Sequence, residues 1–226
     1  MRRSLPVHPV LLVFAVACAP AAVAPPAPVA PAFDCPADAD RPGLVRVIDA
    51  APTIREDIRY ATANNFTGAP LPGYEMPAAL LRPEAAAALA RVQERLRRNG
   101  YGLLVWDAYR PVRATLAMVE WAETSGNEWV LDGWVARRSN HNKGNTVDLT
   151  VVRLDTGEPL DMGTPFDHFG DESRTSNASG QVAANRRILL DAMRAEGFSN
   201  YSQEWWHYTH SADAEPVDVP IGCYLR

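Results

Sequence analysis

Two short polar motifs, far apart in the chain, carry residue types that bind metal ions. The first runs from Ser139 to Asp148 and places His141 in a polar turn, seven residues before the aspartate. The second places Glu204 three residues before His207, with two tryptophans between them. Together the motifs supply two imidazoles, one carboxylate and a second, free carboxylate. The sequence therefore predicts a metal site with three protein ligands, provided that the fold brings both motifs together.

The donor set decides which metal and which chemistry are expected. Three protein ligands and an open fourth position are the arrangement of a catalytic zinc, because the open position holds the attacking water. A structural zinc needs four closed ligands, usually cysteines. Iron is the alternative, since two histidines and a carboxylate also bind Fe(II). The free Glu204 beside the third ligand favours hydrolysis, because an apolar setting raises the pKa of a carboxylate toward the range of a general base.

Each motif also has a purely structural interpretation. Asp148 lies between Val147 and Leu149, which indicates that its carboxylate is buried. A buried charge needs a compensating partner, and a structural ion pair explains Asp148 about as well as a metal does. The aromatic segment around His207, taken alone, is better explained as a core strand with a hydrogen-bonded histidine. On a strand, positions three apart point to opposite faces. Glu204 and His207 therefore share a site only if Glu204 lies in the turn before the strand.

The elements around the motifs mix helices with short strands. Pro83 suits the first position of a helix, and Gly100 is expected just past its end. The apolar run 101–105 predicts a strand, after which Pro111 opens a second helix. Further predicted elements are a strand over 146–154, a helix at about 181–196 and an aromatic strand around 205–209. Because this order lacks a βαβ rhythm, we expect an α+β fold with a small, mainly antiparallel sheet and flanking helices.

The N-terminus is organised as an export signal. A basic start at Arg2 precedes an apolar run, 10–17, that is too short to span a bilayer. The run leads to Cys18 in an order that resembles the bacterial lipobox, and this resemblance predicts lipidation of Cys18. An ordinary cleaved signal and an uncleaved membrane anchor are the alternatives. Residues 19–33 are almost wholly Ala, Pro and Val, which predicts a semi-rigid tether. We expect a signal at 1–18, the tether at 19–33, and a folded domain at 34–226 that is periplasmic and membrane-anchored.

Cysteine usage and charge add two further expectations. In an oxidising compartment Cys35 and Cys223, near the two ends of the folded domain, can pair in a disulfide, although two unpaired residues are the alternative. The balance of 22 Lys and Arg against 27 Asp and Glu gives a net charge of -5, and no basic block with interleaved aromatics occurs. Nucleic acid is therefore not an expected partner.

The motifs resemble those of the VanX-type D-alanyl-D-alanine dipeptidases, within the larger group of zinc D-Ala-D-Ala peptidases. The family pattern Ser-x-His-x6-Asp is matched by Ser139, His141 and Asp148, and the pattern Glu-x-x-His by Glu204 and His207. Three further segments resemble the dipeptidase branch, at 60–68, 106–111 and 162–167. Together the five segments cover most of the predicted domain.

The resemblance implies a hedgehog-like or D-Ala-D-Ala-peptidase-like zinc domain with one zinc ion per chain. His141, Asp148 and His207 match the family's metal ligands, and Glu204 matches its catalytic base. Arg110 corresponds to the arginine that stabilises the oxyanion, Asp167 to the acid that binds the substrate's ammonium, and Ser139 to a substrate-contacting serine. Asp107 either orients Arg110 or forms a structural ion pair with it. Of the other histidines, His168 is expected at the surface or next to the site, and His210 is a minor alternative to His207.

The reaction implied is zinc-dependent hydrolysis of D-alanyl-D-alanine to two D-alanines. One alternative is a D-alanyl-D-alanine carboxypeptidase acting on peptidoglycan stem peptides, and another is a non-catalytic zinc-binding module of the cell wall. The expected partner is a small D-amino-acid dipeptide, with membrane contact only through the lipid anchor.

Overall fold

The computed structural model describes residues 35–37, 41–210 and 213–225, which belong to one unit spanning 32–226. The predicted signal, the tether and Cys18 lie outside these residues. None of the helices in the described part is long and apolar enough to cross a bilayer.

A five-stranded sheet forms the centre of the described unit, and a two-stranded ladder lies beside it. In chain order the strands are β1 (Val45–Arg46), β2 (Arg55–Glu56), β3 (Leu80–Leu81), β4 (Tyr101–Asp107), β5 (Thr146–Arg153), β6 (Phe198–Asn200) and β7 (His207–His210). The large sheet has the order β2-β4-β5-β7-β6, in which β2 pairs with β4 in parallel and the other neighbours are antiparallel. The ladder joins β1 to β3. The expected α+β class with a mainly antiparallel sheet is confirmed.

Four α-helices accompany the strands in the described residues, and the three long ones were predicted. They are α1 (Val47–Ala50), α2 (Pro83–Arg97), α3 (Val112–Thr124) and α4 (Gly180–Arg194). Pro83 occupies the first turn of α2, where its missing N–H costs no hydrogen bond. Pro111 caps α3, and α4 ends two residues before the predicted boundary at 196. The short elements α1, β1, β2, β3 and β6 were not predicted, because two to four residues leave too little periodicity to recognise.

The core lies on both sides of β4 and β5. Leu103 and Val105 on β4 and Val147, Leu149 and Val151 on β5 are completely buried. The sequence of β5 alternates, yet Asp148, Thr150 and Val152 on its second face are also buried. A strand with both faces covered brings its polar side chains into enclosed space, where they require partners.

A disulfide joins Cys35 to Cys223 across a sequence separation of 188 residues. It links the first described segment to the 3-10 helix Ile221–Tyr224 near the C-terminus. A crosslink that closes so long a loop restricts the unfolded chain strongly, and such bonds typically contribute about 2 to 4 kcal/mol to stability.

Candidate metal centre and active site

Strand register places three polar side chains in a row across the middle of the sheet. Asp148 on β5 is the Cα partner of Asp107 on β4 and of His207 on β7. The β4 register shifts between Val105 and Asp107, which marks a local bulge. Directly opposed residues on neighbouring strands project from the same face. The sheet therefore brings two carboxylates and one imidazole together at this face.

A short 3-10 helix, Asn140–Lys143, adds His141 to the row. Ser139 caps it, because the Ser139 hydroxyl accepts a hydrogen bond from the His141 backbone N–H at 3.2 Å. Gly144 ends the helix in the left-handed conformation, with φ of 73°. The Nδ1–H of His141 donates to the carbonyl oxygen of Ala108 at 2.6 Å, which leaves the lone pair on Nε2 directed at Asp148 and His207.

The three candidate ligands form a tight triangle. Nε2 of His141 lies 3.2 Å from Oδ2 of Asp148 and 3.3 Å from Nδ1 of His207. The His207 atom lies 3.1 Å from Oδ1 of Asp148, a buried oxygen that has no hydrogen-bond partner among the described residues. A tetrahedral zinc with bonds of about 2.0 to 2.1 Å places neighbouring donor atoms roughly 3.3 Å apart. The donor types, their spacing and the unsatisfied oxygen all fit such an ion.

Electrostatics also favour a ligand role for Asp148. Burial opposes its ionisation, but the two facing imidazoles outweigh burial and lower the pKa of Asp148 below its usual value. Burial lowers the pKa of His207, which favours the neutral imidazole that a metal ligand presents.

Glu204 lies in the turn before β7, the position that the spacing from His207 requires. Its Oε2 lies 3.4 Å from Nδ1 of His207, and the residue is 6% exposed. Burial, followed by repulsion from Asp148 and Asp167, raises the pKa of Glu204 well above its usual value. A buried carboxylate with a raised pKa beside the ligand triangle is suited to accept and return a proton.

Arg110 is held on the other side of the triangle by Asp107. Its Nε and Nη2 donate to Oδ2 of Asp107 at 3.0 and 2.8 Å, and Nη2 lies 3.8 Å from Oδ2 of Asp148. The hydroxyl of Tyr74 donates to the other Asp107 oxygen, and the guanidinium stands 5.0 Å above the ring of Tyr60. Asp107 thus orients Arg110, and the ion pair is part of the site.

Asp167 lies in the loop between β5 and α4. The Tyr60 hydroxyl lies 3.1 and 3.0 Å from its two carboxylate oxygens. Burial, followed by repulsion from Asp148, raises the pKa of Asp167 to about 8. Within the described residues it is the one non-glycine residue with a positive φ, 59°. A cation that entered beside it would stabilise its ionised form.

These groups surround one cavity of about 290 Å³. This volume is just below the range of about 300 to 1,000 Å³ that is usual for small-molecule sites, so the cavity suits a small ligand. Trp206 lines the cavity, whereas Trp205 packs behind it against Trp106, at 5.9 Å between ring centroids. Of the two adjacent tryptophans, one therefore contributes an apolar wall to the cavity. The predicted site residues among those that line the cavity are Arg110, Ser139, His141, Asp148, Asp167, Glu204 and His207.

Comparison with known proteins agrees with this arrangement. The family model described as D-ala-D-ala dipeptidase, peptidase M15, matches residues 40–225. A D-alanyl-D-alanine dipeptidase of Enterococcus faecium is 42% identical over 188 residues, which cover 74% of this chain and 93% of the relative. The D-alanyl-D-alanine dipeptidase of Escherichia coli is 36% identical over 171 residues, which cover 75% and 85%.

The chain belongs to the D-alanyl-D-alanine dipeptidase family. The resemblance carried by the motifs at 139–148 and 204–207 is thereby confirmed, and this family member is a hydrolase of the metallopeptidase class. Among solved structures, the D,D-dipeptidase VanXYg is 19% identical, with a TM-score of 0.39 over 62% of this chain and 54% of that chain.

Within the described part of this family member, the remaining histidines and cysteines are not among the candidate ligands. His168 is 43% exposed and pairs with Glu172 at 3.4 Å, while the His210 ring packs against Phe198 at 5.1 Å. Neither belongs to the group of candidate ligands found among the described residues.

Sequence reasoning gave no role to several residues that line the cavity. Tyr60 lies inside a matched segment, but its contact with Asp167 spans 107 positions and has no local signal. Trp134, Arg138 and Tyr201 lie in irregular segments without periodicity. Of these three residues, only Arg138 had a sequence feature that indicated a place in the site, because it directly precedes Ser139.

Proposed function

We propose that this protein binds one zinc ion through His141, Asp148 and His207 and hydrolyses the D-alanyl-D-alanine dipeptide. The observation that carries the proposal is the ligand triangle with a free, buried carboxylate and an arginine in the same small cavity. Two imidazoles and a carboxylate also suit iron, but Glu204 beside His207 is the group that a hydrolytic centre needs. Zinc in such a site polarises a carbonyl and lowers the pKa of water.

Glu204 is the proposed general base and acid. It accepts the proton of the attacking water and then delivers it to the leaving amine, so that one carboxyl group serves both steps. Burial raises the pKa of Glu204, which favours uptake of the proton that the second transfer returns. This role also argues against the alternative of a non-catalytic zinc-binding module, because such a module has no use for a free buried carboxylate.

Arg110 is the proposed donor to the oxyanion that develops on the scissile carbonyl. Because Asp107 already fixes the guanidinium through two hydrogen bonds, little reorganisation is required when negative charge appears. Removing a donor of this kind typically costs about 10² to 10³ in rate.

Asp167 is the proposed binding group for the substrate's ammonium, with Tyr60 holding the carboxylate in place. A free amino terminus is present in a dipeptide and absent from the acylated end of a longer stem peptide. This requirement favours the dipeptidase over the D-alanyl-D-alanine carboxypeptidase. Ser139, at the start of the 3-10 helix that carries His141, is a proposed substrate contact.

Two substrates test the assignment. Purified, zinc-loaded protein is expected to hydrolyse D-Ala-D-Ala and to leave N-acetyl-D-Ala-D-Ala intact. Equal or faster turnover of the acetylated compound would assign the protein to the carboxypeptidases. Metal analysis of the same sample is expected to give one zinc per chain, and iron in its place would contradict the metal assignment.

Export and lipid anchoring through Cys18 are a further part of the proposal, supported by the basic and apolar order of residues 2–18. The disulfide between Cys35 and Cys223 suits an oxidising compartment. In a bacterial host, Cys18→Ala is expected to move the activity from the membrane fraction to the soluble fraction or to block processing. An unchanged distribution of a variant that is processed like the parent protein would rule out the anchor.

A further inference from the structure

One cation in the cavity wall has no partner among the residues that the structure describes. Arg110 and Arg138 are the Lys or Arg residues that line the cavity among the described residues. Arg110 is committed to Asp107 through two hydrogen bonds. Arg138 is exposed and makes no hydrogen bond, ion pair or ring contact within the described part of the chain. Its guanidinium is therefore available to a ligand.

The charges of the cavity show which ligand group requires this cation. Three carboxylates, Asp148, Asp167 and Glu204, line the same space. A dipeptide brings an ammonium at one end and a carboxylate at the other. The carboxylates of the wall repel that second group, and Arg110 is placed to act at the scissile carbonyl. With the proposed zinc engaged by its three ligands and Arg110 by the carbonyl, Arg138 is the remaining cationic side chain among the described lining residues that can pair with the substrate carboxylate.

We propose that Arg138 binds the C-terminal carboxylate of the substrate and makes the enzyme selective for peptides with a free C-terminus. This inference rests on the proposed function and assigns to the known reaction a further binding residue. A planar guanidinium presents two parallel N–H groups, which match the two oxygens of a carboxylate.

The neighbour of Arg138 completes the carboxylate site. The Ser139 oxygen accepts the backbone N–H of His141 at 3.2 Å, so its own hydroxyl hydrogen remains to be donated. Arg138 and Ser139 thus combine a charge and a hydroxyl donor on one short segment next to the ligand His141. Because the Arg138 side chain is unpaired, it can close on the substrate without breaking an existing ion pair.

The test compares D-Ala-D-Ala with D-alanyl-D-alaninamide, which has the same scissile bond but a neutral C-terminus. In the zinc-loaded protein, Arg138→Gln is expected to raise KM for D-Ala-D-Ala about tenfold with little change in kcat, because one charge-assisted contact is lost. Turnover of the amide is expected to be equal in both proteins. High salt is expected to weaken D-Ala-D-Ala binding in the parent protein more than in the variant.

Arg137→Gln is the matched control, because Arg137 is also exposed but pairs with Glu123 at 2.7 Å and does not line the cavity. It is expected to leave the kinetics of both compounds unchanged. Equal losses on acid and amide in Arg138→Gln, or no loss on the acid, would overturn the inference. If the parent protein cleaves neither compound, the proposed function itself fails, so the two failures are distinguishable.

Discussion

At the scale of single residues, the pKa values of two buried carboxylates near His207 are shifted in opposite directions. Asp148 faces both candidate ligand histidines, and its pKa is lowered despite burial. Glu204 contacts one of them but also lies near two other carboxylates, and its pKa is raised, chiefly by burial. Neighbouring groups whose pKa values are driven apart can divide ligand and acid–base roles between them. The resemblance to the dipeptidase family implied both roles, and the spacing of Glu204 from His207 required Glu204 to lie in the turn before the strand.

Glu204→Gln separates these two roles. The amide has nearly the same shape, so zinc is expected to remain at one per chain. Because glutamine cannot take up the proton, kcat is expected to fall by about 10² to 10⁴. Zinc analysis together with initial rates on D-Ala-D-Ala checks both expectations. Activity close to that of the parent protein would remove Glu204 from the mechanism.

At the scale of elements, strand register explains why distant motifs converge. Asp107, Asp148 and His207 are cross-strand partners on β4, β5 and β7, so sheet pairing alone aligns them. The strands were predicted from local patterns, but their order and register depend on contacts between segments far apart in sequence. The hydrogen bond from Tyr74 to Asp107 likewise joins distant segments, and nothing in the sequence near either residue predicts the other as its partner.

The loop that carries Asp167 depends on one buried cation on α4. Arg186 is 3% exposed, and its N–H groups donate to the carbonyl oxygens of Met162, Arg174 and Glu172 at 2.8, 2.7 and 2.8 Å. These three acceptors lie on both sides of Asp167 in the chain. Because all three donors bind carbonyl oxygens of this loop, Arg186 holds the loop in position. No local sequence pattern in α4 predicts these contacts.

Arg186→Met is therefore expected to weaken both stability and substrate binding. The loss of three charge-assisted hydrogen bonds is expected to lower the free energy of unfolding by about 2 to 4 kcal/mol. Below the melting temperature, KM for D-Ala-D-Ala is expected to rise more than kcat falls, since Asp167 is displaced. Arg187→Met is the control, because Arg187 is exposed and pairs with Asp191 one turn away; its effect is expected within about 0.5 kcal/mol. A stability loss without a KM change would separate Arg186 from the binding site.

At the scale of the whole molecule, the crosslink between Cys35 and Cys223 and the active site are separate features. The bond joins the two ends of the described unit, and neither cysteine lines the cavity. The sequence predicted this pairing from the compartment and from the number of cysteines, whereas the meeting of the two ends is a property of the folded chain. Arg41 reinforces the same junction, because its guanidinium donates to the Cys223 carbonyl oxygen.

Reduction is therefore expected to affect stability without changing the chemistry. The restriction of a long loop in the unfolded chain is worth about 2 to 4 kcal/mol, which corresponds to a fall in Tm of roughly 5 to 15 °C for a domain of this size. The double variant Cys35→Ser, Cys223→Ser is expected to melt at the lower temperature with or without reductant. At 25 °C, kcat and KM for D-Ala-D-Ala are expected to match those of the parent protein, because neither cysteine belongs to the strands, the turn or the 3-10 helix that position the candidate ligands, Glu204 and Arg110. Loss of activity before any loss of folded structure would show instead that the crosslink helps to shape the active site.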